Sequence, residues 1–183
     1  EVGHGPLPLA ARHHPSLMIA FQRFINDQWS SFIQTQCEVA RAGFDKPLST
    51  NMTPDWGMNY FRQNHLLDRV GMSLDPRRDE LSKSLMHLDR MRAEKPGVPF
   101  WLLGTPSQGP EAGAFAWLSM LMGGDLLLFD QWRQPWAGPQ MNQGAIVTST
   151  GRWTRDKASL EKLASQFKDQ AEYLATRPPV EAR

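Results

Sequence analysis

Short apolar runs that alternate with longer amphipathic stretches predict an α/β fold with parallel strands joined by helical crossovers. Three observations lead there. Val98 to Leu103 (VPFWLL) is a continuous apolar run, too short for an ordinary helix and containing Pro99 at its start, as expected of a strand buried on both faces. Asp125 to Phe129 (DLLLF) repeats the pattern after a Gly123-Gly124 stop. Around these runs, apolar residues recur at three- and four-residue steps, the period of a helix face. With 183 residues, 40% hydrophobic and 21% charged, the chain is expected to form one domain, residues 1–183, with a core of its own.

Residues 1–15 are rich in Gly, Pro and His, lack an apolar period, and are expected to form a loop. His4, His13 and His14 have no Cys or carboxylate at a ligand spacing beside them, so a solvated loop is expected in place of a metal site, and no cofactor is implied. Ser16 can cap a helix that runs to Gly43, with Leu17, Phe21, Phe24, Ile25, Trp29, Phe32, Ile33, Cys37 and Ala40 on one side. Lys46 to Thr53 (KPLSTNMT) reads as a first strand with a polar exit at Ser49, Thr50 and Asn51. A short helix over Asp55 to Asn64 follows, then a second strand over Leu66 to Met72, closed by Asp75-Pro76. A helix near Arg78 to Glu94 carries Leu81, Leu85, Leu88 and Met91 on one side, and Pro96 stops it. Val98 to Leu103 is the third strand, ended by Gly104-Thr105-Pro106; a helix over Ala112 to Met122 leads into the fourth, Asp125 to Phe129. Residues 16–154 therefore hold about four βα units. One helix near Arg155 to Thr176, with Leu160, Leu163, Ala164, Phe167, Ala171 and Leu174 on a face, closes the chain.

The formal net charge of +1 gives no basic excess of the kind that nucleic acid or an anionic membrane surface would select, so neither is expected as a partner. Cys37 is the single cysteine, which excludes an internal disulfide, and its place on the apolar side of a helix suits packing better than a reactive thiol. No apolar run reaches transmembrane length and no signal peptide opens the chain. The first residue is Glu, compatible with a processed product, an excised domain or a fragment.

Polar and aromatic residues gather where the strands end: Asn51 on the first, Ser73 and Asp75 on the second, Thr105 on the third, and Asp130-Gln131-Trp132-Arg133-Gln134 on the fourth. Convergence of several strand ends on one face is the layout of a (β/α)8 (TIM) barrel enzyme. No glycine-rich phosphate loop follows any strand, which argues against a nucleotide-binding open sheet. Four units make half of an eightfold barrel.

Gln131-Trp132-Arg133-Gln134 after an apolar strand, with Gly123-Gly124 before the strand and Ala137-Gly138 behind, resembles the last barrel strand of glycoside hydrolase family 42, the bacterial β-galactosidases. Pro99 to Leu103 (PFWLL) is similar to the family's seventh strand, Pro47 to Met52 (PLSTNM) to its fifth, and Ser16 to Arg41 to the helix before that. Glu1-Val2-Gly3-His4 is similar to the short acidic motif at the end of its fourth strand. The resemblance covers nearly the whole chain in order. It implies a partial (β/α)8 barrel, strands 5 to 8, the C-terminal half of the catalytic barrel, and by analogy a cytoplasmic location.

The resemblance also implies a retaining mechanism on terminal β-galactosides, in which one carboxyl group serves as acid and base and another, about 5 Å away, attacks the anomeric carbon. Carried over by position, Glu1 is the acid/base and the nucleophile falls on Gly104, which has no side chain. A Glu and a His expected on the last loop fall on Gln140 and Gln143, which hydrogen-bond but carry no charge, and the loop between Ser107 and Phe115 is shortened. Asn51, Trp132, Arg133, Gln140 and Gln143 would line the sugar. Trp132 and Trp136 flanking Arg133 and Gln134 suit stacking on a sugar ring, although core or rim packing uses the same residues. Asp75 and Asp130 at neighbouring strand ends could form a new acid/base pair or serve as ordinary hydrogen-bond anchors.

Three classes of function fit this reading. One is a β-galactosidase-like domain with retaining catalysis impaired at Gly104. Another is a relative that binds a galactoside-type glycan without cleaving it. The last is a structural half-barrel that covers its edges with a second copy or with an N-terminal half-barrel.

Overall fold

The computed structural model describes residues 14–53, 58–74, 81–106, 110–139, 141 and 145–176. Glu1, Gln140 and Gln143, together with Asp75, His4 and His13, lie outside them. The described elements run α1 (Pro15–Arg41), α2 (Tyr60–His65), β1 (Gly71–Met72), α3 (Leu81–Glu94), β2 (Phe100–Pro106), α4 (Pro110–Leu121), β3 (Gly124–Asp130), α5 (Asp156–Asp169) and α6 (Ala171–Thr176).

The sheet is parallel and ordered β1-β2-β3, and Met52 adds a further parallel bridge to Met72 on the outer side of β1. The segments expected as strands therefore lie side by side in chain order, but their lengths differ from the expectation. The first is reduced to the Met52 bridge, with Met52 N–H donating to the Gly71 carbonyl and Ser73 N–H to the Met52 carbonyl. Upstream, the amides of Asp68 and Arg69 both converge on the Leu48 carbonyl, so the alternating ladder of a regular strand cannot form there. The second contracts to Gly71–Met72, because the Leu66 and Leu67 amides close the end of α2. The third, by contrast, continues through Gly104 and Thr105 to Pro106.

Several helix ends also move. α1 starts at Pro15, not at a Ser16 cap: His14 is the N-cap and makes no side-chain cap bond, and Pro15, which has no N–H to lose, occupies the first turn. The closing helix is two helices, broken at Gln170, whose amide turns back to the Gln166 carbonyl. No glycine or proline marks the break, and Leu163 is the single buried residue of α5, so little packing enforces one straight helix across it.

Alternation along the strands decides which side is covered. Val70, Met72, Leu74, Phe100 and Leu102 point to the helix side and are buried with Leu88 and Met91 of α3 and Phe115 of α4, with Leu127 packed against them. A second core joins Ile33 and Cys37 of α1 to Met52, Tyr60 and Leu67. Burial pushes the Cys37 thiol above its usual range, consistent with a packing role. Asp68 ties the base of this region together: its carboxylate accepts the Leu48 amide at 2.8 Å and both oxygens meet Arg41 at 3.0 Å. Buried Glu94 joins α2 to α3 by accepting from Asn64 and from Arg90 at 2.7 Å.

Candidate functional site

All strands run the same way, so their C-terminal ends form one edge. Leu102 pairs with Met72 on one side and Leu127 on the other, while Thr105 pairs with Phe129 and Pro106 with Asp130. From Leu102 to Thr105 the chain takes three steps on β2 against two on β3, so Leu103 and Gly104 share a bulge at the outgoing end of the strand. Bulges re-aim side chains and recur beside active sites. Gly104 thus lies within the strand and not in the turn after it.

Asn51 precedes Met52; it is exposed and borders a small pocket of about 60 Å³ beside Trp29, Met52, Met58 and Tyr60. Ser73 follows β1 at the same edge, one step from buried Met72, and is half-buried. Beyond β3 the chain does not simply leave the sheet. Arg133 bridges Val147 in parallel, and Val147 bridges Trp153 in the antiparallel sense. Val147 N–H donates to the Trp132 carbonyl at 2.8 Å and Gln134 N–H to the Val147 carbonyl at 2.9 Å. These bonds hold Trp132 and Arg133 at the exit of β3.

Trp132 is 63% exposed and meets Trp153 edge-to-face, with ring centroids 5.7 Å apart and planes at 87°. Trp136 is 73% exposed. Arg133 is exposed and directs Nη2 to the Ser149 carbonyl at 2.7 Å, so part of its donor capacity is used to fix the loop. The arrangement offers aromatic surface and hydrogen-bonding groups on one edge, and where the resemblance expects a nucleophilic carboxylate it offers only the backbone of Gly104. Sequence reasoning missed Trp153 and the Ala145–Thr154 segment, which shows no apolar period and no local signal; the Val147 bridges bring it to the exit of β3.

The model of the glycoside hydrolase 42 family, described as β-galactosidase, matches residues 4–170. The chain belongs to this family. Among curated proteins it is similar to the β-galactosidase YesZ of Bacillus licheniformis, 28% identical over 160 residues, which cover 80% of this chain and 24% of that protein. It is also similar to YesZ of Bacillus subtilis, 25% identical over 191 residues, covering 97% of this chain and 28% of that one. The family member described here therefore spans about a quarter of the length of these relatives. Among solved structures, a β-galactosidase from Rahnella sp. superposes with a TM-score of 0.75 at 22% identity, covering 85% of this chain and 26% of its own. A β-galactosidase from the haloarchaeon Halorubrum lacusprofundi gives 0.74 at 21% identity, covering 89% and 29%. These likenesses establish the α/β barrel fold for this family member.

Among the described residues, no group of three or more His, Cys, Asp or Glu stands close enough to hold a metal ion. No helix among them is long and apolar enough to cross a membrane.

Proposed function

We propose that this glycoside hydrolase 42 family member forms the C-terminal half of a catalytic barrel, strands 5 to 8, and recognises terminal β-galactosides at its strand C-terminal edge. Its retaining catalysis is impaired. The observation that supports this reading is Gly104 in the bulge of β2, the position to which the resemblance assigns the attacking carboxylate. A glycosyl-enzyme intermediate needs a nucleophile at bonding distance, and a glycine supplies none. Glu1 is the acid/base by position, and Gln140 and Gln143 replace a charged pair, so the departures from the family pattern are several and point to binding without efficient turnover.

In this reading Trp132 stacks on the sugar, while Asn51, Arg133, Gln140 and Gln143 hydrogen-bond its hydroxyls. The open side of the sheet seats against the remaining strands of the barrel. That seating is supported by the uncovered apolar side chains of Leu126 and Leu128 and by the exposed Leu17, Ile19, Phe21 and Phe24 of α1. Replacing Trp132 with Ala tests the binding role. Affinity for a galactoside should fall by more than about tenfold, equivalent to about 1.4 kcal/mol, with cooperative thermal unfolding retained. Unchanged affinity would make Trp132 a packing residue and move the site elsewhere.

A further inference from the structure

Trp132 stands among three tryptophans that are more than half exposed on the same loop cluster, and it is linked to one of them. Its ring meets Trp153 edge-to-face at 5.7 Å, a geometry favoured by the ring quadrupoles. Trp153 is in turn held from outside the pair, because the Lys157 ammonium lies 4.7 Å from its ring centroid, and Lys157 is itself placed by Glu161 at 3.1 Å, one turn along α5. The backbone beneath is fixed as well. Val147 bridges both Arg133 and Trp153, Thr154 N–H donates to the Ile146 carbonyl at 3.0 Å, and the turn between is closed by Thr148 N–H on the Arg152 carbonyl at 2.8 Å. Lys157, Trp153 and Trp132 therefore form a chain of contacts that runs from a helix to the strand exit.

A core role does not account for this chain, since Trp132 is 63% and Trp153 is 55% exposed and burial contributes little at either. What the contacts do is restrict rotation of the Trp132 ring. An exposed indole that must be immobilised when a sugar stacks on it loses side-chain freedom on binding, and a ring already held in place avoids much of that cost. We infer that Trp153 is a positioning residue for galactoside recognition, fixing the Trp132 indole in its stacking orientation while Lys157 steadies Trp153 from α5. The inference rests on the proposed binding role of Trp132 and adds a residue from outside the segments that resemble the family's strands.

The test is a calorimetric titration of the 183-residue chain with methyl β-galactoside, alongside Trp132→Ala, Trp153→Ala, Trp153→Phe and Trp153→Leu. A far-UV exciton couplet from two coupled indoles should be present in the unsubstituted chain and absent from Trp132→Ala and Trp153→Ala alike. Trp153→Ala should weaken binding about three- to tenfold, while Trp153→Phe, which keeps an aromatic edge, should stay within about twofold. If Trp153→Ala does not fold, Trp153→Leu decides, since it keeps much of the volume without a ring and should weaken binding as the alanine would. Loss of binding in Trp132→Ala with full affinity in Trp153→Ala or Trp153→Leu would overturn the positioning role and leave the binding reading intact. Equal affinity in all variants, or no binding by the unsubstituted chain, would overturn both.

Discussion

The two sides of the sheet have similar apolar content and different surroundings. On the helix side, Met72, Phe100 and Leu102 are at most 1% exposed beneath α3 and α4. On the other side, Trp101 and Leu103 are half-buried and Leu126 and Leu128 are 39% and 55% exposed. Parallel strands read as continuous apolar runs because both faces are normally covered. The difference separates what folds this chain from what completes it. One face supplies the core, and the other, with the strand ends above it, is the face of the proposed barrel interior and its sugar site.

Substitutions matched across the sheet should separate the two faces. Leu102→Ala should cost about 2–5 kcal/mol in chemical denaturation, because the cavity opens in a packed core, whereas Leu128→Ala should change stability by no more than about 0.5 kcal/mol. Equal costs would mean that the open face is covered in solution. Gly71 tests the inner face at closer range. A Cβ there would lie 2.6 Å from the Thr50 carbonyl oxygen and 2.9 Å from Leu103, and the first of these is backbone that cannot swing aside. Gly71→Ala should therefore destabilise by about 1–3 kcal/mol in the same measurement, and a neutral result would show that the Thr50 backbone can yield to a methyl group.

A smaller effect is expected away from the sheet, at the base of α1. The Leu48 amide and then Arg41 hold the Asp68 carboxyl below the usual carboxylate range. A depressed value in the folded state means that the stabilisation is present above the unfolded value, about 3.9, and is lost as pH falls through the folded one. The pair is partly solvated, so the contribution should be less than about 1 kcal/mol. Asp68→Asn should lower stability by that amount near neutral pH and by less in acid, where the two proteins converge. A constant difference across the titration would assign the effect to packing.

Much of this organisation is legible in the residues, and the exceptions have physical causes. VPFWLL and DLLLF are apolar enough to be recognised as strands, and their neighbours carry clear helix periods. The burial on both faces expected of VPFWLL is met on its helix side alone, since Trp101 and Leu103 are half-buried and the adjacent Leu126 and Leu128 are exposed. PLSTNM and LLDRVGM carry proportionally fewer apolar residues, and hydrogen bonds at Leu48 and the end of α2 shorten them, a competition that no period reports. The apolar side of α1 is legible as a face but not as two halves: Ile33 and Cys37 are buried, while Leu17, Phe21 and Phe24 are exposed. At the candidate site, QWRQ marks Trp132 and Arg133 through resemblance, whereas Trp153 reaches the site through the small bridge at Val147 and carries no local sequence signal.

The proposed loss of the two-carboxylate route at position 104 is tested by release of the aryl group from a nitrophenyl β-galactoside, with and without azide. A vacated nucleophile site that is otherwise intact lets a small anion attack in place of the carboxylate, so azide distinguishes a single defect from wider loss. With Gln140 and Gln143 also departing from the pattern, the account predicts no turnover in either condition, several powers of ten below a two-carboxylate enzyme. Turnover that galactose inhibits and azide leaves unchanged would contradict it, because some residue other than position 104 would then be attacking the sugar.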